Sequence, residues 1–463
     1  MTNIQKRLTG TNFLSGPLKT IFITCSLLLA ANSFLIAQDN SPYSRYGIGD
    51  IVPSSNVVNR GMGKISAAYT DFFSINFSNP ASYTSIQGFK EARSNKLQSG
   101  RVLFDVGINY DSRTLQEPNN AAKFRAQNLL FSYLQVGVPL SGKTGFSFGL
   151  RPVSRISYKI QTRERLVFNN GSDSVYTLYT GDGGSFLPNV GLAHRFGKLS
   201  IGVNAGYLFG KKDYSTRRVF INDSVDYYSS NHQTRTVFGN IFLQGGLQYT
   251  DSISKSTTLT IGATGNLATT LNATQDIIRE TFTPTPDAGD LRIDSVYEQK
   301  GIDGTMKYPS SFTVGFAIDK NRYEIKKTGW MIGVDFTTTA WSNYRYYGAK
   351  DFTQNTWEIK VGGSLRPIPK KSYFSNVTYR AGFNIGPDYI NTGKKLPQFG
   401  ASFGMGLPLA NYSQLARGQV TIINVAFEYG KRGNNTNLLK ENMFRLSFGL
   451  SLSDIWFVKR KYD

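Results

Sequence analysis

The stretch Phe444-Arg445-Leu446-Ser447-Phe448-Gly449-Leu450-Ser451-Leu452-Ser453 decides the fold. Successive side chains of a strand point to opposite faces, so Phe444, Leu446, Phe448, Leu450 and Leu452 share one face, and Arg445, Ser447, Gly449, Ser451 and Ser453 the other. The second set is small and lightly charged, unlike the charged outside of a soluble sandwich. That combination suits a transmembrane sheet, one face to lipid and the other to a narrow, hydrated or plugged lumen.

The same period of two recurs at Val102, Phe104, Val106, Ile108 and Tyr110, and at Phe312, Val314, Phe316 and Ile318, against neighbours such as Asp105, Gly107, Asn109 and Gly315. Fourteen such segments between Arg101 and Phe457 predict an all-β fold, a 14-stranded antiparallel transmembrane β-barrel. Gly 46, Tyr 26 and Phe 32 in 463 residues, with mean hydropathy -0.28, argue against a helical membrane protein. A lipid-facing strand is apolar only at every second position, so its average looks hydrophilic.

Lys6, Arg7 and Lys19 precede an apolar run from Ile21 to Ile36 that ends at Ala37, with no acidic residue before Gln38. Residues 1–37 therefore predict a cleaved secretory signal peptide. A membrane anchor is the other reading, because Leu35 rather than a small residue stands three before the cut. Cys25, the only cysteine, lies in this leader, so neither disulfide nor thiol chemistry is expected of the mature chain. Loss of the three leader cations reduces the formal charge from +21 to +18. The basic residues are spread over connections (Lys211, Lys212, Arg217, Arg218; Lys326, Lys327; Lys370, Lys371; Lys394, Lys395), and no nucleic-acid module is visible. Anionic lipid head groups or an acidic partner fit this charge better than nucleic acid.

Turn signals place the third strand at 144–161, the fourth at 185–197 and the ninth at 329–346. Connections alternate between short (141–143, 197–198, 251–255) and long (162–184, 213–233, 274–307). Outer-membrane barrels have short periplasmic turns and longer extracellular loops, so both ends of the sheet fall on the periplasmic side. Localisation in a Gram-negative outer membrane is the expectation. Trp330 and Trp341, 11 residues apart, lie roughly 26 Å apart along the membrane normal for a tilted strand, close to the spacing of two aromatic girdles. Their opposite parity means that one faces the lumen or lies past the last paired residue.

Residues 41 to about 97 are turn-rich and lack long alternation, yet Phe72, Phe73, Ile75, Phe77, Tyr83 and Ile86 are too apolar for disorder. A plug inside the barrel supplies the partner this short segment needs; a disordered periplasmic tail is the alternative. The expected organisation is a leader (1–37), a hatch (38–97), the barrel (98–458) and a basic tail (459–463).

Asn59-Arg60-Gly61-Met62-Gly63 and Asp71-Phe72-Phe73-Ser74-Ile75-Asn76-Phe77-Ser78-Asn79-Pro80-Ala81 resemble elements of the long-chain fatty-acid transporter (FadL-like) family, where they stand just ahead of a 14-stranded barrel. The resemblance implies a lumenal hatch and lateral release of hydrophobic small molecules beside a distorted third strand. It makes Gly61, Gly63, Asn79 and Pro80 candidate hatch residues. Pro152, in the third strand, marks either a lateral opening or an ordinary rim position, since proline removes a ladder donor. The chain departs from the family beyond Trp456-Phe457, where it continues Lys459-Arg460-Lys461-Tyr462-Asp463. Such a tail resembles relatives that are barrel subunits of protein-secretion machinery.

Gly137-Val138-Pro139-Leu140-Ser141-Gly142-Lys143-Thr144 matches a phosphate-binding loop, but strand rather than helix follows it. Gly145-Phe146-Ser147-Phe148-Gly149 and Gly400-Ala401-Ser402-Phe403-Gly404 imitate a nucleophile elbow without its strand-turn-helix setting. His194 and His232, the only histidines, fall at opposite strand ends. No catalytic residue, metal site or cofactor is expected.

Parity places Asp105, Asn204, Asp335, Asn424, Glu428 and Arg445 opposite the apolar face, hence toward the lumen. Their expected task is to tie plug to wall, and Glu428 and Arg445 lie on adjacent strands. Passive, hatch-gated uptake of hydrophobic small molecules is the first functional expectation. A non-transporting barrel subunit of a secretion or assembly complex is the second. The corresponding partners are outer-membrane lipid, hydrophobic molecules, or outer-membrane and periplasmic proteins.

Overall fold

Alternating strands become a wall when each edge finds a neighbour, and in the computed structural model that wall closes on itself. The structure describes residues 41–90, 97–168, 171–221, 227–285, 289–320, 327–409 and 418–456. The expected leader and the basic tail lie outside the described residues.

Short elements precede the wall: β1 (Asp50–Ile51), the single-turn helix α1 (Val57–Arg60) and β2 (Gly88–Lys90), with 3-10 turns at Pro42–Arg45 and Pro80–Ser85. The wall then runs β3 (Leu97–Gln116), β4 (Lys123–Pro139), β5 (Thr144–Phe168), β6 (Gly171–Phe196), β7 (Leu199–Phe220) and β8 (Ser229–Ser254). It continues as β9 (Thr257–Asn266), β10 (Thr269–Thr285), β11 (Gly289–Tyr308), β12 (Ser311–Lys320) and β13 (Gly329–Thr339). After the short β14 (Arg345–Tyr346) it ends with β15 (Thr356–Arg366), β16 (Thr378–Asn391), β17 (Lys395–Leu409), β18 (Val420–Arg432) and β19 (Lys440–Trp456). β9 and β10 are two halves of one stave, interrupted at Leu267 and Ala268. β11 and β12 are likewise one stave, broken at Pro309, which has no N–H to give the ladder. Fourteen antiparallel staves result, and β19 pairs with β3 from Lys440↔Gln116 to Trp456↔Gly100, closing the barrel.

The outer surface is apolar: Val190, Leu192, Val203, Ile241, Leu243, Val314, Phe316 and Ile332 are all exposed. So continuous an apolar exterior belongs in lipid. The core sits inside, where residues 41–90 fill the lumen. Met62, Ile65 and Ala68 pack on Ala317 and Met331, and Ile75, Tyr83 and Ile86 on Leu103 and Ala193.

Two expectations about strand ends need correction. Segments 162–184, 213–233 and 274–307, read as loops, are mostly strand: β5 and β6 pair out to Phe168↔Gly171, β7 pairs with β8 out to Arg218↔Ser230, and β10 pairs with β11 out to Thr285↔Gly289. In these outer parts polar and apolar residues no longer alternate, which erases the period-two signal while backbone pairing continues, with register slips in β10–β11. The ninth stave ends at Thr339, not near residue 346. Trp341 therefore lies past the last paired residue, in a single 3-10 turn, with its ring 4.4 Å from that of Tyr389.

Candidate functional site

The hatch is positioned by backbone approach before any side chain acts. Asn56 caps α1 by accepting the Asn59 amide at 2.9 Å, and its own amide donates to the Ile75 carbonyl at 2.9 Å, tying the helix to the next hatch segment. The chain then turns through Gly61 and Gly63. Gly63 has φ +64, and its amide donates to Ser402 Oγ at 2.8 Å. A Cβ on Gly63 would stand 2.6 Å from the Phe383 nitrogen. The wall replies with glycines of its own: a Cβ on Gly362 would lie 2.0 Å from the Met62 carbonyl oxygen, and one on Gly262 would lie 1.9 Å from that of Ala67. Glycine on the lumenal face thus lets hatch backbone press directly on barrel backbone.

Asn79 caps the 3-10 helix Pro80–Ser85 by accepting the Ala81 amide at 3.1 Å, and it donates to the Ala67 carbonyl at 2.6 Å. Its side chain faces Gly246, and Pro80 faces Gly202. Gly61, Gly63, Asn79 and Pro80 are thus all at points where hatch meets wall.

All six residues assigned to the lumen by parity are buried on that side. Three hold the hatch. Asp335 accepts the Ser66 and Ala67 amides at 2.6 and 2.9 Å; Asp105 accepts the Ile75 amide at 3.2 Å and the Tyr133 hydroxyl at 3.1 Å; and Asn204 accepts the Tyr83 hydroxyl at 3.0 Å. The other three hold wall to wall. Arg445 makes a bidentate contact with Asp111 at 2.6 and 2.7 Å and reaches Glu428, its direct cross-strand partner, at 3.4 Å. Asn424 accepts from Arg380 at 3.1 Å and donates to Ser451 at 3.1 Å.

A second anchor escaped the sequence reading. Near the extracellular end Asp50 of β1 meets Arg113 at 2.7 Å and Arg432 at 2.9 Å, while Arg432 also binds Asp388 at 2.9 Å and Glu441 lies 3.4 Å from Arg113. Ser41 donates to Glu441 in the same cluster. The hatch thereby supplies one carboxylate to a buried network spread over β3, β16, β18 and β19. Arg60 is also fully buried; it donates to Asn109 at 2.6 Å and to the Ser55 and Pro53 carbonyls at 3.0 and 3.1 Å. These charges sit near strand ends or in the hatch, where alternation fades and parity says little. Arg432 and Glu441 stand opposite one another across β18 and β19, a register that only the structure shows.

Pro152 stands beside an irregularity of the wall. β4 and β5 pair only from Pro139↔Gly145 to Leu134↔Leu150, and the β5–β6 ladder slips between Pro152 and Ser154. Past that point β5 takes the hatch strand β1 instead, through Asp50↔Arg155 and Ile51↔Ser154. The phosphate-loop look-alike is the tight β4–β5 turn, in which the Leu140 amide donates to the Thr144 carbonyl at 2.9 Å. His194 rests 2.8 Å from the Thr144 hydroxyl.

The hatch lies between two cavities. One, of about 340 Å³, sits above it beside Asp50, Arg113, Trp341 and Arg432; the other, of about 550 Å³, sits below it among the short turns.

Known proteins agree with this architecture. The toluene transporter TodX of P. putida superposes with a TM-score of 0.50 at 15% identity, covering 88% of this chain and 99% of that one. A FadL homologue of Pseudomonas aeruginosa gives 0.49 at 12% identity, covering 89% and 100%. At such identity the likeness to TodX shows the fold alone. Among curated protein sequences none matches significantly. A family model described as BamG matches residues 18–463, and the chain accordingly belongs to the BamG family.

Proposed function

We propose that this chain is a barrel subunit of an outer-membrane protein assembly complex, with its hatch serving as a fixed plug. The observation that carries this reading is membership of the BamG family over residues 18–463, a designation of the barrel-assembly machinery. The geometry is compatible with a static part: hatch and wall are joined by Asp335, Asp105, Asn204 and the Asp50 cluster, and by backbone contacts that leave no room for side chains. Breaking a buried ion pair or leaving a buried amide unpaired costs several kcal/mol, roughly 3 to 5 for a pair, so hatch movement is expensive.

Hatch-gated passive uptake of hydrophobic molecules is the second reading. One observation favours it: β4 and β5 do not pair with each other past Leu134↔Leu150, and β1 of the hatch covers the β5 edge only at Ser154 and Arg155, which leaves a candidate sideways exit beside β4. Purification of the tagged chain from its native membrane in mild detergent separates the two. A stoichiometric outer-membrane or periplasmic partner that resists washing is the outcome expected of an assembly subunit. A barrel that purifies alone, from cells that lose uptake of a labelled hydrophobic compound when it is deleted, would reverse the order of the readings.

A further inference from the structure

The cavity of about 550 Å³ below the hatch opens among the short turns, on the periplasmic side. Its charged lining consists of Arg195, Lys198, Arg366 and Arg380 against Asp71 and Asp319. Both carboxylates are already engaged. Asp71 accepts the Tyr69 hydroxyl at 3.2 Å, the Phe73 amide at 3.1 Å and the Ser74 hydroxyl at 2.9 Å, all within the hatch loop. Asp319 pairs with Arg366 at 2.5 Å, and Lys198 pairs with Asp251 at 2.6 Å at the rim.

Two guanidinium groups are left with neutral partners. Arg195 donates to the Thr84 carbonyl at 3.0 Å. Arg380 is 7% exposed; it gives Nη1 to Asn424, and its Nε has no partner among the described residues, as is true of Arg366 Nε. Ser364 faces Arg380 across the β15–β16 ladder, so Arg366, two positions on, is its diagonal neighbour on the lumenal face. A buried cation without a counter-charge is unfavourable, and a carboxylate delivered to it forms a strong, geometrically selective bond. Phe72, half exposed, and Phe73 add an apolar side to the same cavity.

We propose that this vestibule binds an acidic peptide segment of a periplasmic protein, with carboxylates received by Arg195 and Arg380 and apolar side chains set against Phe72 and Phe73. A peptide is favoured over a lipid head group because the cavity is walled from the bilayer by β6 to β9, β12, β13 and β15 to β18. The proposal rests on the assembly reading, since a subunit needs a docking point for a soluble partner.

The test uses the full chain in detergent and a neutral-dye-labelled peptide of alternating Glu and Phe, compared with its Gln and Phe counterpart by fluorescence anisotropy. The acidic peptide should bind about tenfold tighter or more at low ionic strength and lose that advantage as salt is raised. The double variant Arg195→Gln/Arg380→Gln should abolish the preference, and Arg195→Lys/Arg380→Lys should keep most of it; retained heat-modifiable mobility on gels shows that each is folded. Equal binding of the two peptides, or an unchanged preference in the glutamine variant, overturns the proposal. So does displacement by inorganic phosphate or phosphatidylglycerol micelles as readily as by unlabelled peptide. Lost selectivity with intact co-purification of a partner sinks the pocket alone, whereas selective binding by a barrel that purifies alone sinks the assembly reading and leaves the pocket.

Discussion

At the scale of single residues, the interior is decided by pairs in which one partner is small. Asp335 can reach the Ser66 and Ala67 amides because its cross-strand neighbour is Gly315, whose absent Cβ would stand 2.0 Å from the carboxylate. Replacing Asp335 with Ala leaves two hatch amides without acceptors and should cost about 2 to 4 kcal/mol, while Asn, which keeps one acceptor, should cost less. Gly362→Val should be as damaging for the opposite reason, driving a side chain into the Met62 carbonyl. Hydrogen exchange across residues 60–75 reads both: faster exchange there, with the wall unchanged, is the expected result. Unchanged hatch protection in Asp335→Ala would mean that the carboxylate does not hold it. The inward direction of Asp105, Asn204, Asp335, Asn424, Glu428 and Arg445 was legible from parity because each sits mid-strand among apolar neighbours. The Asp50–Arg113–Arg432 cluster was not, because it joins residues over 300 positions apart and two of them lie at strand ends.

At the scale of elements, what was legible is whatever the bilayer demanded. Strands crossing lipid must alternate, so β12 and β19 could be read almost residue by residue. Their extensions above the membrane meet water on both faces and obey no such rule, so the outer parts of β5 to β8, β10 and β11 looked like loops. The outer β10–β11 hairpin stays laddered to β8 as far as Phe282↔Ser229, but its own ladder is irregular. Three register slips, between Gln275 and Ile277, Arg279 and Glu280, and Thr281 and Phe282, break its ladder, and its charges pair locally, Arg292 with Glu280 at 3.1 Å and with Glu298 at 2.7 Å. Its only outer ion pair to the rest of the wall is with Arg217 among the described residues. Removing residues 279–297 and rejoining the strands gives up the β8 pairs of Arg279 to Phe282 but keeps those of Asn272 to Ile278, and should leave the barrel closed, with heat-modifiable mobility and detergent solubility retained. Loss of the folded band would show that the extension helps close the sheet.

At the scale of the whole molecule, ring and plug are separable in construction though joined in energy. Closure depends on the β19–β3 ladder, which the hatch does not enter apart from the short β2–β3 contact at Gly88 to Lys90. The hatch fills the space between the two cavities, so it, and not the wall, sets whether ions can pass. In planar bilayers the intact chain should conduct weakly or not at all, because hatch backbone lies against wall backbone at Gly262, Gly362 and Gly382. Deleting residues 52–86 should convert it to a conducting pore while the barrel still folds. Loosening both anchors with Asp50→Ala and Asp335→Ala should give flickering, intermediate openings, since each substitution removes one end of the tether. If the intact chain conducts as well as the deletion variant, the hatch does not seal the lumen, and an uptake role regains the stronger position.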